Sequence, residues 1–194
     1  MAKTTRPKKK EVSIDAIGIE TGKVPPQAVD VEEAVLGAMM IEPNCVPDVL
    51  DSLTADCFYK EANRKVFMAI SSLSSEHQPV DIYTVSEELK RQGSIDEIGG
   101  PYYLSLLSSR VGAAAHVEYH VKILLQKYIQ RELITISAEM QRDSFDDSIP
   151  VDDLLDNSQS KLFELAERNM KRATLPVQDV IKDTVAEIEA NQDR

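Results

Sequence analysis

An all-α fold is predicted for this chain of 194 residues by its composition and by the spacing of its apolar residues. Seven glycines, 5% aromatic residues and no tryptophan argue against a turn-rich β-sandwich or barrel. Apolar residues recur instead every three to four positions, the period of an amphipathic helix. The prediction is a compact bundle of short helices, then a long antiparallel helical hairpin and a C-terminal amphipathic linker helix.

The charge is unevenly distributed, and this excludes several classes of function. The net charge is −11, but residues 1–10 carry five basic and no acidic side chains, so removing them leaves −16 on the rest of the chain. The acidic remainder of the chain is poorly suited to binding the phosphate backbone of a nucleic acid. The charge therefore indicates protein partners. No apolar stretch approaches the ~20 residues of a membrane span. We expect a cytoplasmic protein with no membrane contact, in which Cys45 and Cys57 are reduced thiols.

The first half of the chain divides into a leader and a head. Residues 1–23 are predicted to be a disordered basic leader, and residues 24–115 a globular helical head. In the head, Asp30 and Glu33 have the spacing of a capping box at the start of a helix. Further helices are expected over about 61–75, within 79–93 and after the Gly-Gly pair at 99–100.

Residues 116–172 are predicted to form the helical hairpin, with a first helix of some 25 residues and a second from about Asp152 to Met170. The first helix carries two apolar stripes, more than one helix–helix seam requires. Ile134 falls far from the main stripe of this helix, and we expect it to be exposed and to bind a partner. The residues predicted to pack the hairpin or to join subunits are Leu125, Ile129, Leu133, Leu155, Leu162 and Phe163.

Residues 173–194 are predicted to form a linker helix. Apolar residues recur there at helical spacing, and an isolated helix of this length is marginal in water, so it requires a partner surface. The side chains predicted to form its apolar face are Val180, Ile181, Val185 and Ile188.

Three candidate chemical sites fail on spacing. The stretch GIETGK at 18–23 has three residues between its glycines where a phosphate-binding loop has four, and Val24 replaces the hydroxyl residue that binds magnesium. His116 and His120 have the i, i+4 spacing of metal ligands but lack a third ligand nearby in sequence. No histidine, acid and nucleophile are spaced as a catalytic set. We therefore expect no catalytic, cofactor-binding or metal-binding residue in this chain.

Five motifs in order resemble the N-terminal part of bacterial replicative DNA helicases of the DnaB family. The likeness covers approximately residues 24–194. Its motifs are VPPQAVDVEEAVLGAMMIEPN, LTADCFYKEANRKVFMAI, QPVDIYTVSEELKRQG, IGGPYYLSLL and AAAHVEYHVKILLQKYIQREL, and LDNSQSKLFELAER continues it. The RecA-like motor of the family, with its phosphate loop, is absent from this sequence.

The resemblance implies a non-enzymatic collar module of an ATP-dependent helicase, with ATP and Mg²⁺ expected only in the missing motor. Such modules pair subunits of a hexameric ring and dock primase, while the linker helix packs on a neighbouring motor domain. It implies self-association, primase and a possible helicase loader as partners, and DNA only indirectly. Tyr103 and Ile134 are the expected primase contacts. The alternatives are a helicase-binding domain of primase and a small helical nucleic-acid-binding protein that acts through its basic tail.

Overall fold

Eight α-helices make up the computed structural model, which describes residues 13–109 and 116–173. Two 3-10 turns, Pro43–Cys45 and Ala55–Cys57, flank the third helix. Those residues contain no β-strand, which confirms the all-α prediction. The helices are α1 Ile14–Thr21, α2 Val29–Ile41, α3 Val46–Ser52, α4 Glu61–Ser75, α5 Ile82–Arg91, α6 Pro101–Ser109, α7 Val117–Ser144 and α8 Val151–Ala173.

The head is built around α2, which packs against α4, α6 and α7. Six consecutive residues of α2, 35–40, are buried, so this helix is surrounded by protein over its second half. Leu36, Phe58 and Leu104 are 0% exposed and occupy the centre of the core. The helix α5 is capped by Asp81, whose carboxylate accepts hydrogen bonds from the amides of Tyr83 and Thr84.

The predicted disordered leader is wrong for its last part. Residues Ile14–Thr21 form α1, which packs on α7 and is tied to the head by Tyr59, whose hydroxyl donates to Asp15 Oδ1 at 3.1 Å. Gly22 ends this helix with a φ of 66°, a conformation that favours glycine. Eight residues are too few for an independently stable helix, so its stability comes from packing that sequence periodicity does not reveal. Gly18 lies inside α1, so GIETGK is no phosphate loop.

The predicted capping box at the start of α2 is also wrong. The helix begins at Val29, one residue before Asp30, and no side chain caps it. Glu32 and Glu33 are 1% and 4% exposed, and both point into the head. They bind the region between the second 3-10 turn and α4 instead. Glu32 and Glu33 therefore join α2 to the start of α4. The spacing of acids along one helix cannot predict a contact with another helix.

The first half of α7 belongs to the core of the head. Its stripe of Val117, Val121, Leu124 and Tyr128 is buried and joins the same apolar cluster as α2, α4 and α6. The second half of α7 packs against α8, which runs antiparallel to it and also contacts α3 of the head. The structure therefore places no packing boundary at residue 116, where the predicted hairpin begins.

No helix within residues 13–109 and 116–173 combines the length and apolarity needed to cross a bilayer. Across the same two ranges, no group of three or more histidine, cysteine or acidic side chains is placed to hold a metal ion.

Candidate functional site on the helical hairpin

A buried arginine fixes the hairpin to the head. Arg131 of α7 is 6% exposed, and its guanidinium donates to the carbonyls of Pro26 at 3.0 Å, Asp56 at 2.9 Å and Cys57 at 2.9 Å. It also lies over the ring of Tyr59, 5.9 Å from the centroid. Burial lowers the pKa of this guanidinium from its ordinary value. A planar group with five donors can satisfy three carbonyls at once, so one side chain joins α7 to two loops of the head.

Glu32 holds the segment that directly follows the carbonyls bound by Arg131. Its carboxylate accepts from the amide of Tyr59 at 2.7 Å, from the amide of Lys60 at 3.3 Å and from Asn63 Nδ2 at 2.8 Å. The amides at the start of α4 have no acceptor within their own helix, and the dipole of α4 favours a negative charge there. A carboxylate from α2 therefore caps α4 and holds the preceding loop in place.

Tyr103 was expected to contact primase, and the structure contradicts its placement on the surface. It is 8% exposed, and its hydroxyl lies 2.5 Å from Asn63 Oδ1 and 3.3 Å from Glu33 Oε1. Lys60 Nζ lies 4.5 Å from the centre of its ring. Burial raises the pKa of the Tyr103 hydroxyl above 10. Its neighbour Tyr102 is 77% exposed, so a shift of one position on α6 separates core from surface.

Ile134, expected to be an exposed partner contact, is only half-buried. The more exposed apolar side chain of this region is its neighbour Leu133, which is 42% exposed. The helix α1, which sequence reasoning missed, also packs on α7. The four predicted linker-face residues lie outside the described residues. They are Val180, Ile181, Val185 and Ile188.

The seam between α7 and α8 uses other residues of α8 than those predicted. Leu165 is 7% exposed, and it lines a small recess with Leu125 and Ile129 of α7. Lys161 Nζ donates to Glu139 Oε2 of α7 at 2.7 Å. Leu154 and Ser158 are half-buried on the same face. The seam of α8 therefore follows positions 154, 158, 161 and 165, a sequence of helical steps that includes a serine and a lysine.

The residues of α8 that were predicted to pack the hairpin are exposed. Leu155 is 63% exposed, Leu162 is 42% exposed and Phe163 is 67% exposed, and Val151 at the start of the helix is 69% exposed. The prediction is wrong as regards packing within the hairpin, because the seam lies one step around the helix. Sequence periodicity finds apolar positions, but it cannot decide which of two adjacent stripes meets the partner helix.

Both helices contribute to one apolar side of the hairpin. At 100° per residue, Leu155 and Leu162 lie roughly 80° around α8 from the seam, and Leu133 and Met140 lie roughly 80° around α7. When two antiparallel helices are viewed from the same end, successive residues turn in opposite senses on the two helices. Both displacements therefore lead to the same side of the hairpin. The buried stripe of α7 is displaced in the other sense. We call this side, which faces away from the head, the hairpin flank; it consists of Leu133, Met140, Val151, Leu155 and Leu162.

Comparison with known proteins identifies the family. The profile of the DnaB-like helicase N terminal domain matches residues 24–126, more than half of the chain. Replicative DNA helicase DnaB of Rhodothermus marinus is 36% identical over 190 residues, and that of Geobacillus stearothermophilus is 33% identical over 172. These matches cover 98% and 89% of this chain, but only 20% and 38% of those relatives.

Solved structures agree with the sequence matches. The N-terminal domain of DnaB helicase from Mycobacterium tuberculosis superposes with a TM-score of 0.67 at 31% identity, and the match covers 73% of this chain and 99% of that one. A DnaB-like replicative helicase, solved in a study of its interactions with primase, has the same fold with a TM-score of 0.64 at 20% identity, covering 82% of this chain and 36% of that one. The helicase side is thus favoured over the alternative of a primase domain, and the chain belongs to the DnaB-like helicase N-terminal domain family.

Proposed function

We propose that this chain is a non-catalytic module that pairs helicase subunits through the hairpin flank and presents the paired domains to primase. The observation that carries the pairing is that the hairpin flank is apolar on both helices yet open to solvent. Leu155 and Val151 are each more than 60% exposed, while Leu165, one step around α8, is 7% exposed. Contiguous apolar patches of a few hundred Å² are uncommon on monomers and mark contact sites.

The size of the hairpin flank predicts a weak association. From Val151 to Leu162 the helix rises about 16 Å, and two helices side by side make the patch on the order of 300 Å². A stable interface buries about 800 Å² per partner. The hairpin flank alone should therefore support pairing in the micromolar range, with further contacts coming from the rest of a longer helicase.

We place the chemistry of the relatives in the part of their length that this chain does not match. The curated relatives are replicative DNA helicases of which this chain spans 20 to 38%, and GIETGK is part of a helix and a turn. In our proposal ATP and magnesium are bound by a motor domain outside this chain. DNA is contacted by the same motor domain. A helicase loader is a further partner of the assembled ring. Residues Val180, Ile181, Val185 and Ile188 connect the module to the neighbouring motor domain.

Primase docking follows from the same family membership. A DnaB-like helicase with this fold has been solved in a study of its interactions with primase. We propose that the paired domains, rather than one domain, form the docking surface for the helicase-binding domain of primase. Calorimetric titration of that domain into this chain should give binding, and the absence of heat up to about 100 µM would contradict this half of the proposal.

The pairing is tested by the double substitution Leu155→Ser with Leu162→Ser. Both side chains lie outside the seam, so the hairpin should stay folded while the apolar flank becomes polar. Light scattering after size-exclusion chromatography should show a paired wild type and a monomeric variant with unchanged far-UV circular dichroism. The matched control is Tyr83→Ser, which removes a side chain that is 83% exposed on α5. An equal mass for the wild type and the double variant would refute the pairing.

A further inference from the structure

A groove lies between α3 and α4 on the surface of the head. Leu53 and Phe67, which are 2% and 3% exposed, line its deeper part, and Met68 on its edge is 53% exposed. The groove has a volume of about 450 Å³, which is within the range of pockets that bind ligands. We call it the α3–α4 groove; its lining consists chiefly of Leu50, Leu53, Phe67, Met68, Ser71 and Ser75.

The edge of the α3–α4 groove is polar but neutral. Hydroxyl side chains border it on α4, at Ser71, Ser72 and Ser75, and Thr54 borders it in the segment after α3. Among the described residues, no charged side chain lines the groove. An amphipathic helix that carries net negative charge can therefore enter it without facing a fixed charge of the same sign.

The helix α8 ends close to this groove. Near its end, Arg168 lines one recess with Leu125 and Tyr128 of α7, and Tyr128 belongs to the apolar cluster of the head. The helix also contacts α3, which forms one wall of the α3–α4 groove, and it ends at Ala173. Residues 174–194 therefore continue the chain from the head end of the hairpin, one helix away from the groove.

We infer that residues 177–188 dock in the α3–α4 groove of the same chain, with their predicted apolar face against its apolar lining. Residues 174–176 connect them to α8, and three extended residues span about 10 Å, comparable with the width of one helix. A tether this short gives an effective concentration in the millimolar range. The proximity favours this segment over any separate partner as the occupant of the groove.

The segment matches the groove in length and in pattern. As a helix, residues 177–188 rise about 17 Å, and the groove follows α4 from Phe67 to Ser75, about 12 Å. At 100° per residue, Asp179, Lys182 and Asp183 lie on the side of that helix opposite its apolar face, so they stay in water. A helix of this length is marginal when isolated, and burial of its apolar face in the groove supplies the missing stabilisation.

The α3–α4 groove and a neighbouring motor domain compete for the same apolar face. In the proposed function this face contacts a motor domain, and one face cannot occupy both sites at once. Docking in the groove therefore holds the linker on its own head until a motor domain displaces it. The docking does not rest on the pairing of subunits, because Leu155→Ser with Leu162→Ser alters neither the groove nor residues 177–188.

Disulfide trapping in the full chain tests the contact. Ser71→Cys introduces a thiol in the groove, and Thr184→Cys introduces one on the apolar face of the segment without removing an aliphatic side chain. With Cys45→Ser in every variant, mild oxidation of dilute protein should form an intramolecular disulfide at least about tenfold faster than in the matched control. That control is Ser105→Cys with Thr184→Cys, since Ser105 is exposed on α6. Mass spectrometry of unreduced digests measures the disulfide, and equal rates for the two pairs would overturn the inference.

Hydrogen exchange tests whether the groove is the site and whether the docking is intramolecular. Amides of residues 177–188 in the wild type should exchange at least about tenfold more slowly than in a random coil. Ser71→Glu places a charge in the groove and should remove this protection, whereas the matched control Ser105→Glu should keep it; exchange in α2 should be unchanged in both. Random-coil exchange in the wild type, or equal protection in the two variants, would overturn the inference. Protection that falls on dilution would also overturn it, because the segment would then occupy the groove of a second copy.

Discussion

The head and the outer half of the hairpin differ in how their apolar and charged side chains are covered. In the head, apolar residues meet other helices, and buried charges meet fixed partners, as Arg131 does with three carbonyls. In the hairpin, α8 has one buried seam at Leu165 and a second apolar side that residues 13–109 and 116–173 leave exposed. The core of the head is closed by its own helices together with the first half of α7, whereas the flank of α8 is exposed. The difference assigns stability to the head and association to the hairpin.

The largest expected effect lies in the core of the head. Leu104 on α6 is 0% exposed, and Leu104→Ala should lower the free energy of unfolding by about 4 kcal/mol, because it leaves a cavity. Leu155→Ala removes the same atoms from an exposed site and should change that free energy by less than about 0.5 kcal/mol in a dilute monomer. Urea denaturation of both variants measures the contrast, and similar losses would show that the hairpin flank is covered within the chain.

The second-largest loss of stability is expected at the junction between the head and the hairpin. Arg131→Met keeps an unbranched apolar chain of comparable length but leaves the carbonyls of Pro26, Asp56 and Cys57 without this donor. The loss of buried hydrogen bonds to a charged group should cost about 3 kcal/mol. Arg131→Lys, the matched control, keeps the charge but cannot reach three acceptors, so it should recover only part of the loss in urea denaturation. Full recovery by lysine would mean that charge, rather than the fork of donors, holds the junction.

The cap supplied by Glu32 should contribute less. Glu32→Gln preserves shape but removes the charge at the start of α4 and turns an amide group toward donors. We expect a loss of about 2 kcal/mol in the free energy of unfolding. Hydrogen exchange should show the change at the amides of Tyr59 and Lys60, which donate to this carboxylate. The matched control is Glu42→Gln at an exposed position, and faster exchange in both variants would contradict the capping role.

The last expected effect is a dependence of stability on pH within the head. Arg91 binds both oxygens of the Glu88 carboxylate and lowers its pKa from 4.5 to about 2. Because the folded protein holds this carboxylate ionised, the stabilisation is complete above pH 4.5 and is lost as pH falls toward 2. The difference in urea midpoint between wild type and Glu88→Gln should be larger at pH 7 than at pH 3. A difference that grows on acidification would contradict this assignment.

Much of the head could be predicted from the sequence because its helices are short, periodic and clearly terminated. The helix predicted over 61–75 occurs as Glu61–Ser75, and the helix expected within 79–93 occurs as Ile82–Arg91. Interactions between distant residues could not be predicted, such as Glu32 with the start of α4. The sequence contains one signal for the burial of Arg131, because this residue lies on the buried stripe of α7, three residues after Tyr128.

The hairpin was harder to predict, for a physical reason. Its helices carry more apolar positions than one seam needs, and periodicity treats the surplus and the seam alike. The true seam of α8 includes Ser158 and Lys161, which pattern rules assign to solvent. Leu155 and Leu162 were therefore placed inside the hairpin, when in one chain they face outward. The surplus itself was correctly noticed, and it is the feature on which the proposed pairing depends.

The central claim is that the hairpin flank joins two copies of this chain, and self-association of the wild type measures this most directly. Sedimentation equilibrium over a concentration series from about 1 to 500 µM covers the weak range expected for a patch of this size. We predict a reversible monomer–dimer equilibrium, because the apolar hairpin flank is smaller than a stable interface. A strictly monomeric chain throughout the series would contradict the account.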